Sequence, residues 1–238
     1  MSYFIKPDYN HKTEYAPRTA MGKGADYWHS ARFLTSRYYQ YHVYDYACQL
    51  FLSNKNLESV ADVGCGTAYK MMNMLVPVAK RVLGIDQENI IKLNQERYGK
   101  NYFEYDDFDS KEIRVKDKFD VVVCADVIEH LLNPDLLLNY IKNITHHTST
   151  ILISTPERDV LYGDKDNKEA YNKDHIREWN KTELMAYLED SGFEVMGVNI
   201  YPAQKFNFTY QYLRMRFTMG KRFNHCAMYI CRKKYAKI

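Results

Sequence analysis

The stretch Val60-Ala-Asp-Val-Gly-Cys-Gly-Thr-Ala-Tyr-Lys70 decides the fold. Its first residues are apolar apart from Asp62, which reads as a short β-strand buried on both faces. Gly64 and Gly66 follow at once. Without a Cβ the backbone turns sharply there and lets a ligand approach the N-terminus of the helix that comes next, so the stretch reads as a nucleotide-type site. Twenty residues past Gly66, a second apolar run, Arg81-Val-Leu-Gly-Ile-Asp86, ends in an acid. A carboxylate at that place accepts both hydroxyls of a ribose and disfavours a 2′-phosphate. A dinucleotide fingerprint needs a third glycine where Tyr69 stands, and that ring crowds a pyrophosphate, so a dehydrogenase is disfavoured.

Asp62, Gly64 and Gly66 resemble the acid-x-Gly-x-Gly-x-Gly motif of class I S-adenosylmethionine-dependent methyltransferases, with Ala68 in place of the last glycine, a departure of one methyl group. The resemblance implies an α/β fold: a Rossmann-like seven-stranded sheet with its last strand antiparallel, an N-terminal helical lid and an insertion before that strand. It implies S-adenosylmethionine as cofactor and S-adenosylhomocysteine as product. It also implies that Gly64, Gly66 and the backbone around Asp62 cradle the methionine portion, Asp86 the ribose, and Asp106 with the Asp107 amide the adenine.

The chain of 238 residues suits one such domain, with residues 1–56 as arm and lid and 57–238 as the methyltransferase unit. No apolar run reaches the ~20 residues of a membrane span and the start lacks a secretory segment, so a cytoplasmic protein is expected. Cys48, Cys65, Cys124, Cys226 and Cys231 form no CxxC pair and read as reduced structural thiols. Charge is uneven. Residues 205–238 carry nine Lys/Arg and no Asp/Glu, leaving 24 basic against 30 acidic side chains elsewhere.

Taken in order, residues 1–24 read as an irregular arm, and 25–52 as one or two amphipathic helices in which Tyr27, Trp28 and Arg32 or Arg37 reach cofactor or substrate, or else form core. Thr67 to Lys80 reads as the first helix of the fold, Gln87 to Tyr98 as the second, and Leu136 to His146 as the third, with Pro134 in its first turn. Strands are expected at 101–105, 119–124, 150–156, 193–200 and 225–232. Residues 157–180 read as a long polar connection, functional or mobile, before a helix from Thr182 that Gly192 ends. Residues 206–219 alternate apolar and polar side chains, broken near Tyr212, which predicts an extended hairpin or edge ribbon.

Methyl transfer from a sulfonium needs no covalent enzyme intermediate, so alignment is the main contribution, and a base matters only for an acceptor that must lose a proton. His130, in the Glu-His-Leu stretch after the fourth strand, resembles the post-motif loop of small-molecule methyltransferases, including those of ubiquinone biosynthesis. His175, in Asp174-His-Ile-Arg-Glu-Trp179, resembles the His-x-Arg-x-aromatic stretch of sugar and glycan-pathway methyltransferases, and Pro156-Glu-Arg-Asp159 their Pro-x-Arg-Asp. Either histidine is a catalytic base or a loop-pinning residue. Arg158 and Arg177 either contact an acceptor's phosphate or carboxylate, or form ion pairs with Asp159 and Glu178. Asp126, Glu129 and His130 resemble a divalent-metal motif of quinone-pathway O-methyltransferases with aspartate replacing a glutamate, and a metal-free enzyme is expected over a metal-bound one.

These readings converge on transfer to a hydroxyl of a small polar acceptor: a sugar, nucleotide-sugar or glycan precursor. RNA methylation and a non-catalytic cofactor-binding scaffold are the rivals. Nucleic acid is disfavoured because no Asn-Pro-Pro-Tyr-like motif is present, and residues 201–224, with Lys205, Arg214, Arg216, Lys221 and Arg222 among aromatics, are a candidate homodimer surface, or else hold a nucleotide-sugar diphosphate, RNA or an anionic membrane.

Overall fold

The computed structural model describes residues 2–15, 35–163, 166–205 and 209–234. Seven strands form one sheet: β1 (Ser59–Val63), β2 (Arg81–Asp86), β3 (Phe103–Tyr105), β4 (Phe119–Ala125), β5 (Thr145–Pro156), β6 (Phe193–Tyr201) and β7 (Cys226–Lys233). Their order is β3-β2-β1-β4-β5-β7-β6. Pairs β2–β3, β1–β2, β1–β4 and β4–β5 are parallel, and β7 runs antiparallel to both β5 and β6. This is the expected class I methyltransferase sheet. The order reverses between β1 and β4, which opens a crevice at the carboxyl ends of the central strands.

Two apolar layers cover the sheet. On one face α1 (Tyr41–Ser53) packs Val43, Tyr44, Ala47 and Phe51 with Met71 and Leu75, and with Ile91 of α2 (Glu88–Tyr98). On the other, α3 (Pro134–Asn143) and α5 (Lys181–Asp190) pack Leu137, Ile141, Leu184 and Leu188. Pro134 opens α3, where its missing N–H costs nothing. A reciprocal capping box of Asn180 and Glu183 starts α5, and Gly192, at φ +90°, turns the chain out of it into β6. All five cysteines are free and buried.

Two expectations are corrected. Thr67 to Lys80 is helical only in part: an α-turn at Tyr69 and Lys70 widens into a π-helix at Met71–Leu75, where Val76 N–H reaches the Met71 carbonyl, and Pro77 has no N–H with which to continue the ladder. The stretch expected as a ribbon is α6 (Thr209–Met219), a helix. It contains no Gly or Pro, and its half-buried Tyr212, Met215 and Met219 recur at helical spacing, which outweighs the alternation before Tyr212.

The connection 157–180 is folded in rather than loose. After α4 (Arg158–Tyr162), residues 174–179 are all buried, with Trp179 stacked on Tyr187 at 6.0 Å. Residues 2–15 are irregular as expected, but they strap this connection down: Ile5 and Tyr9 enter the core, Tyr9 Oη accepts from Glu178 N–H (2.9 Å), and the Tyr3 carbonyl accepts from Trp179 Nε1 (3.0 Å). Tyr27, Trp28 and Arg32 lie outside the described residues. Arg37 stacks on Tyr38.

Candidate functional site

A cavity of about 740 Å³ occupies the crevice at the carboxyl edge of the sheet, lined at one end by the glycine turn and Asp86 and at the other by Glu129, His130 and His175.

The glycine turn is forced by its neighbours. Gly64 has φ +76°, and a Cβ there would lie 2.4 Å from Val127 Cγ2. Gly66 has φ +51° and donates its N–H to Asp86 Oδ2 (2.8 Å), while Gln87 N–H bonds Oδ1 (2.7 Å). Burial pushes the Asp86 carboxyl up to about 6 against these two amides. Asn94 Nδ2 donates to the Gly66 carbonyl (2.7 Å) and holds the turn from behind.

Asp62 lies beneath the turn, fully buried, accepting from Tyr44 Oη at 2.9 and 3.0 Å. Burial raises its carboxyl to about 7, opposed by that hydroxyl and by Lys70, whose own ammonium burial lowers to about 8. Asp62 therefore fixes the turn from below. Asp106 is also turned inward, accepting from the N–H groups of Asp107 (3.0 Å), Arg114 (2.9 Å) and Val115 (3.1 Å), so from this segment Asp107 and Asp109, not Asp106, line the cavity.

At the other end, a 3₁₀ turn at Ile128–His130 delivers Glu129 and His130, and the strapped connection delivers His175. The two imidazoles meet edge to face at 4.7 Å between centroids. His130 Nδ1 bonds the Asp174 carbonyl (2.9 Å), and His175 Nδ1 bonds Glu178 Oε1 (2.5 Å) while Asn172 Nδ2 meets its Nε2 (2.8 Å). Glu178 is fully buried and also accepts from Tyr162 Oη; burial raises its carboxyl, and the bonds from His175 and Tyr162 more than offset this, leaving it below its usual value. Glu129 is fully buried with both carboxylate oxygens lacking a hydrogen bond, and burial with nearby Asp126 pushes its carboxyl well up.

Residues 32–198 match the sequence profile described as a methyltransferase domain, which is more than half of the chain. The chain belongs to the methyltransferase domain family. A mitochondrial ubiquinone biosynthesis O-methyltransferase of Dictyostelium discoideum is 31% identical over 117 residues, covering 43% of this chain and 36% of that protein. The chain thus spans about a third of the length of that curated relative. Among solved structures, an S-adenosylmethionine-dependent methyltransferase from Clostridium acetobutylicum superposes with a TM-score of 0.59 at 12% identity, covering 81% of this chain and 91% of that one. Magnesium protoporphyrin IX methyltransferase from Synechocystis, with S-adenosylhomocysteine bound, gives 0.53 at 16% identity, covering 82% and 83%. At such identities these two establish the shared fold.

Within this methyltransferase domain the two arginines expected at the acceptor serve the scaffold. Arg158 is buried and forks onto Glu183 at 2.7 and 3.0 Å; Arg177 is buried and donates to the carbonyls of Leu131 (3.0 Å) and Leu132 (2.9 Å). Neither lines the cavity. The metal-like trio also differs. Asp126 is held by Gln40 Nε2 (2.8 Å) and Ser154 Oγ (2.6 Å), whereas Glu129, His130 and His175 each offer one donor atom within 4.8 Å of the others. Two imidazoles and a carboxylate suit a divalent transition metal, or proton transfer with a bound hydroxyl. Asn172 escaped the sequence reading, and Glu178 entered it only as an ion-pair partner of the arginines; their three-residue spacing from His175 was the one available signal.

Proposed function

We propose that the protein transfers a methyl group from S-adenosylmethionine to a hydroxyl of a small polar acceptor, a sugar, nucleotide-linked sugar or glycan precursor. The observation that carries this reading is one cavity that joins the glycine turn and Asp86 to two imidazoles and a buried carboxylate. Asp86 would accept the ribose hydroxyls, the Gly64–Gly66 turn would take the methionine end, and Asp107 the adenine side. Bound S-adenosylmethionine supplies a methyl group on a sulfonium sulfur, and the acceptor oxygen attacks in line.

The chain's part is to align the acceptor and take its proton. His175 accepts the hydroxyl proton on Nε2, and Glu178, bonded to Nδ1, stabilises the imidazolium that results. Asn172 must give up its bond to Nε2 for this step. The hydroxyl acceptor is supported by the Dictyostelium relative, an O-methyltransferase, and the sugar class by the Pro-x-Arg-Asp and His-x-Arg-x-aromatic stretches. A phenolic acceptor is the second reading, favoured by the relative's role in ubiquinone biosynthesis.

Labelled S-adenosylmethionine, incubated with panels of sugars, nucleotide-sugars and catechols, tests the assignment by where label appears. Label only in RNA, or calorimetry without heat for cofactor and product, refutes it. Under single turnover, His175→Ala should slow transfer by about 10² or more while leaving cofactor heat unchanged.

A further inference from the structure

Helix α6 buries none of its 11 residues. Tyr212, Met215 and Met219 form its half-buried side, with Tyr212 edge-on to Phe223 at 5.1 Å. The opposite side presents Tyr210, Leu213 and Phe217, which are 75%, 45% and 85% exposed. Their spacing of three and four residues puts them on one stripe, and the same geometry sets Arg214 and Arg216 on its two flanks. No Asp or Glu occurs anywhere in 205–238. Ala203 and His225, on either side of the insertion that carries the helix, both line the cavity.

We propose that α6 docks the protein on an anionic lipid bilayer, seating Tyr210, Leu213 and Phe217 among the headgroups while Arg214 and Arg216 meet lipid phosphates. An apolar stripe with aromatic ends between cations, in a segment without a single acid, is complementary to that surface in both charge and polarity. A second copy of the chain fits less well. An isologous contact through this stripe sets arginines against arginines with no carboxylate in 205–238 to offset them, and three side chains fall far short of the ~800 Å² per partner of a stable interface. Single-stranded RNA would pair its phosphates with the arginines, but Leu213, at the centre of the stripe, offers no ring for a base to stack on. Docking here holds or fails independently of methyl transfer.

The test is cosedimentation of the full chain with vesicles of phosphatidylcholine alone and of phosphatidylcholine mixed with phosphatidylglycerol. The expected result is binding to the mixed vesicles at low salt, release by added sodium chloride, and little binding to the neutral ones. Arg214→Gln and Arg216→Gln should each weaken partition about fivefold. Tyr210→Ser with Phe217→Ser should abolish it, with unchanged circular dichroism, because these side chains are exposed. Absence of binding to mixed vesicles by the unaltered protein overturns the proposal. So does binding that ignores these substitutions, a dimer in solution that Phe217→Ser dissociates, or an RNA complex lost with the same substitutions while vesicles are not bound.

Discussion

At the scale of single residues, the turn after β1 carries strain as well as function. Ala68 occupies the place of the family's last glycine and sits at φ +54°, where an L side chain clashes with its own backbone. The sequence shows one extra methyl; the cost comes from the dihedral. Ala68→Gly should therefore stabilise the protein by about 1 kcal/mol, read as a higher urea midpoint with unchanged slope. Asp86 gives a pH prediction with two signs. With its carboxyl raised to about 6, the folded cofactor-free protein holds that proton more tightly than the unfolded chain, so this residue favours folding below its unfolded value, near 4, and that contribution is lost as pH rises through about 6. Ribose hydroxyls need the charged form, so cofactor affinity by calorimetry should instead fall as pH drops through 6. Asp86→Asn should flatten both profiles and weaken binding at pH 7. Asp62, raised to about 7, contributes to stability with the same sign as Asp86.

At the scale of elements, the connection from β5 to α5 shows how polar sequence can be interior. Arg158 and Glu183 are paired inside it, and Arg158 also lies over the Tyr9 ring at 5.5 Å. Removing one partner strands the other charge away from water, so Arg158→Ala should cost on the order of 3–5 kcal/mol in urea unfolding. In the fraction that stays folded, KM for the acceptor should be unchanged. A raised KM with unaltered stability would return Arg158 to the acceptor. These charges read in the sequence as substrate contacts or as ion pairs with Asp159 and Glu178; the pair of Arg158 with Asp159 is present at 3.1 Å, but the main partners are remote, since Glu183 lies 25 residues on and Arg177 meets carbonyls more than 40 residues before it. Helix α6 eluded prediction for a different reason. Its first residues satisfy alternation and helical spacing equally, and only the packing of Tyr212 against Phe223 selects a side.

At the scale of the whole molecule, residues 2–15 join the two ends of the site. They bond Glu178 and Trp179 behind His175, bridge Asn10 to Glu169, and bring Tyr15 to Asp109 at the cavity wall. Deleting residues 2–12 should open the connection at 166–180 to proteolysis and lower activity while the sheet persists by circular dichroism. Cleavage no faster than in the intact protein would show that the strap is dispensable.

The sequence alone determined the order of strands, the glycine turn and the acid after β2, because these depend on apolar runs and on φ angles open only to glycine, both local properties of the chain. It also singled out His130 and His175 without relating them. Only the tertiary structure brought those rings to 4.7 Å, set Glu129 beside them at the cavity wall, gave His175 its carboxylate, and withdrew Arg158, Arg177, Asp62 and Asp106 from the surface of the site. Arg158 and Arg177 are turned inward by partners 25 and more residues away, and no local pattern encodes such a pairing.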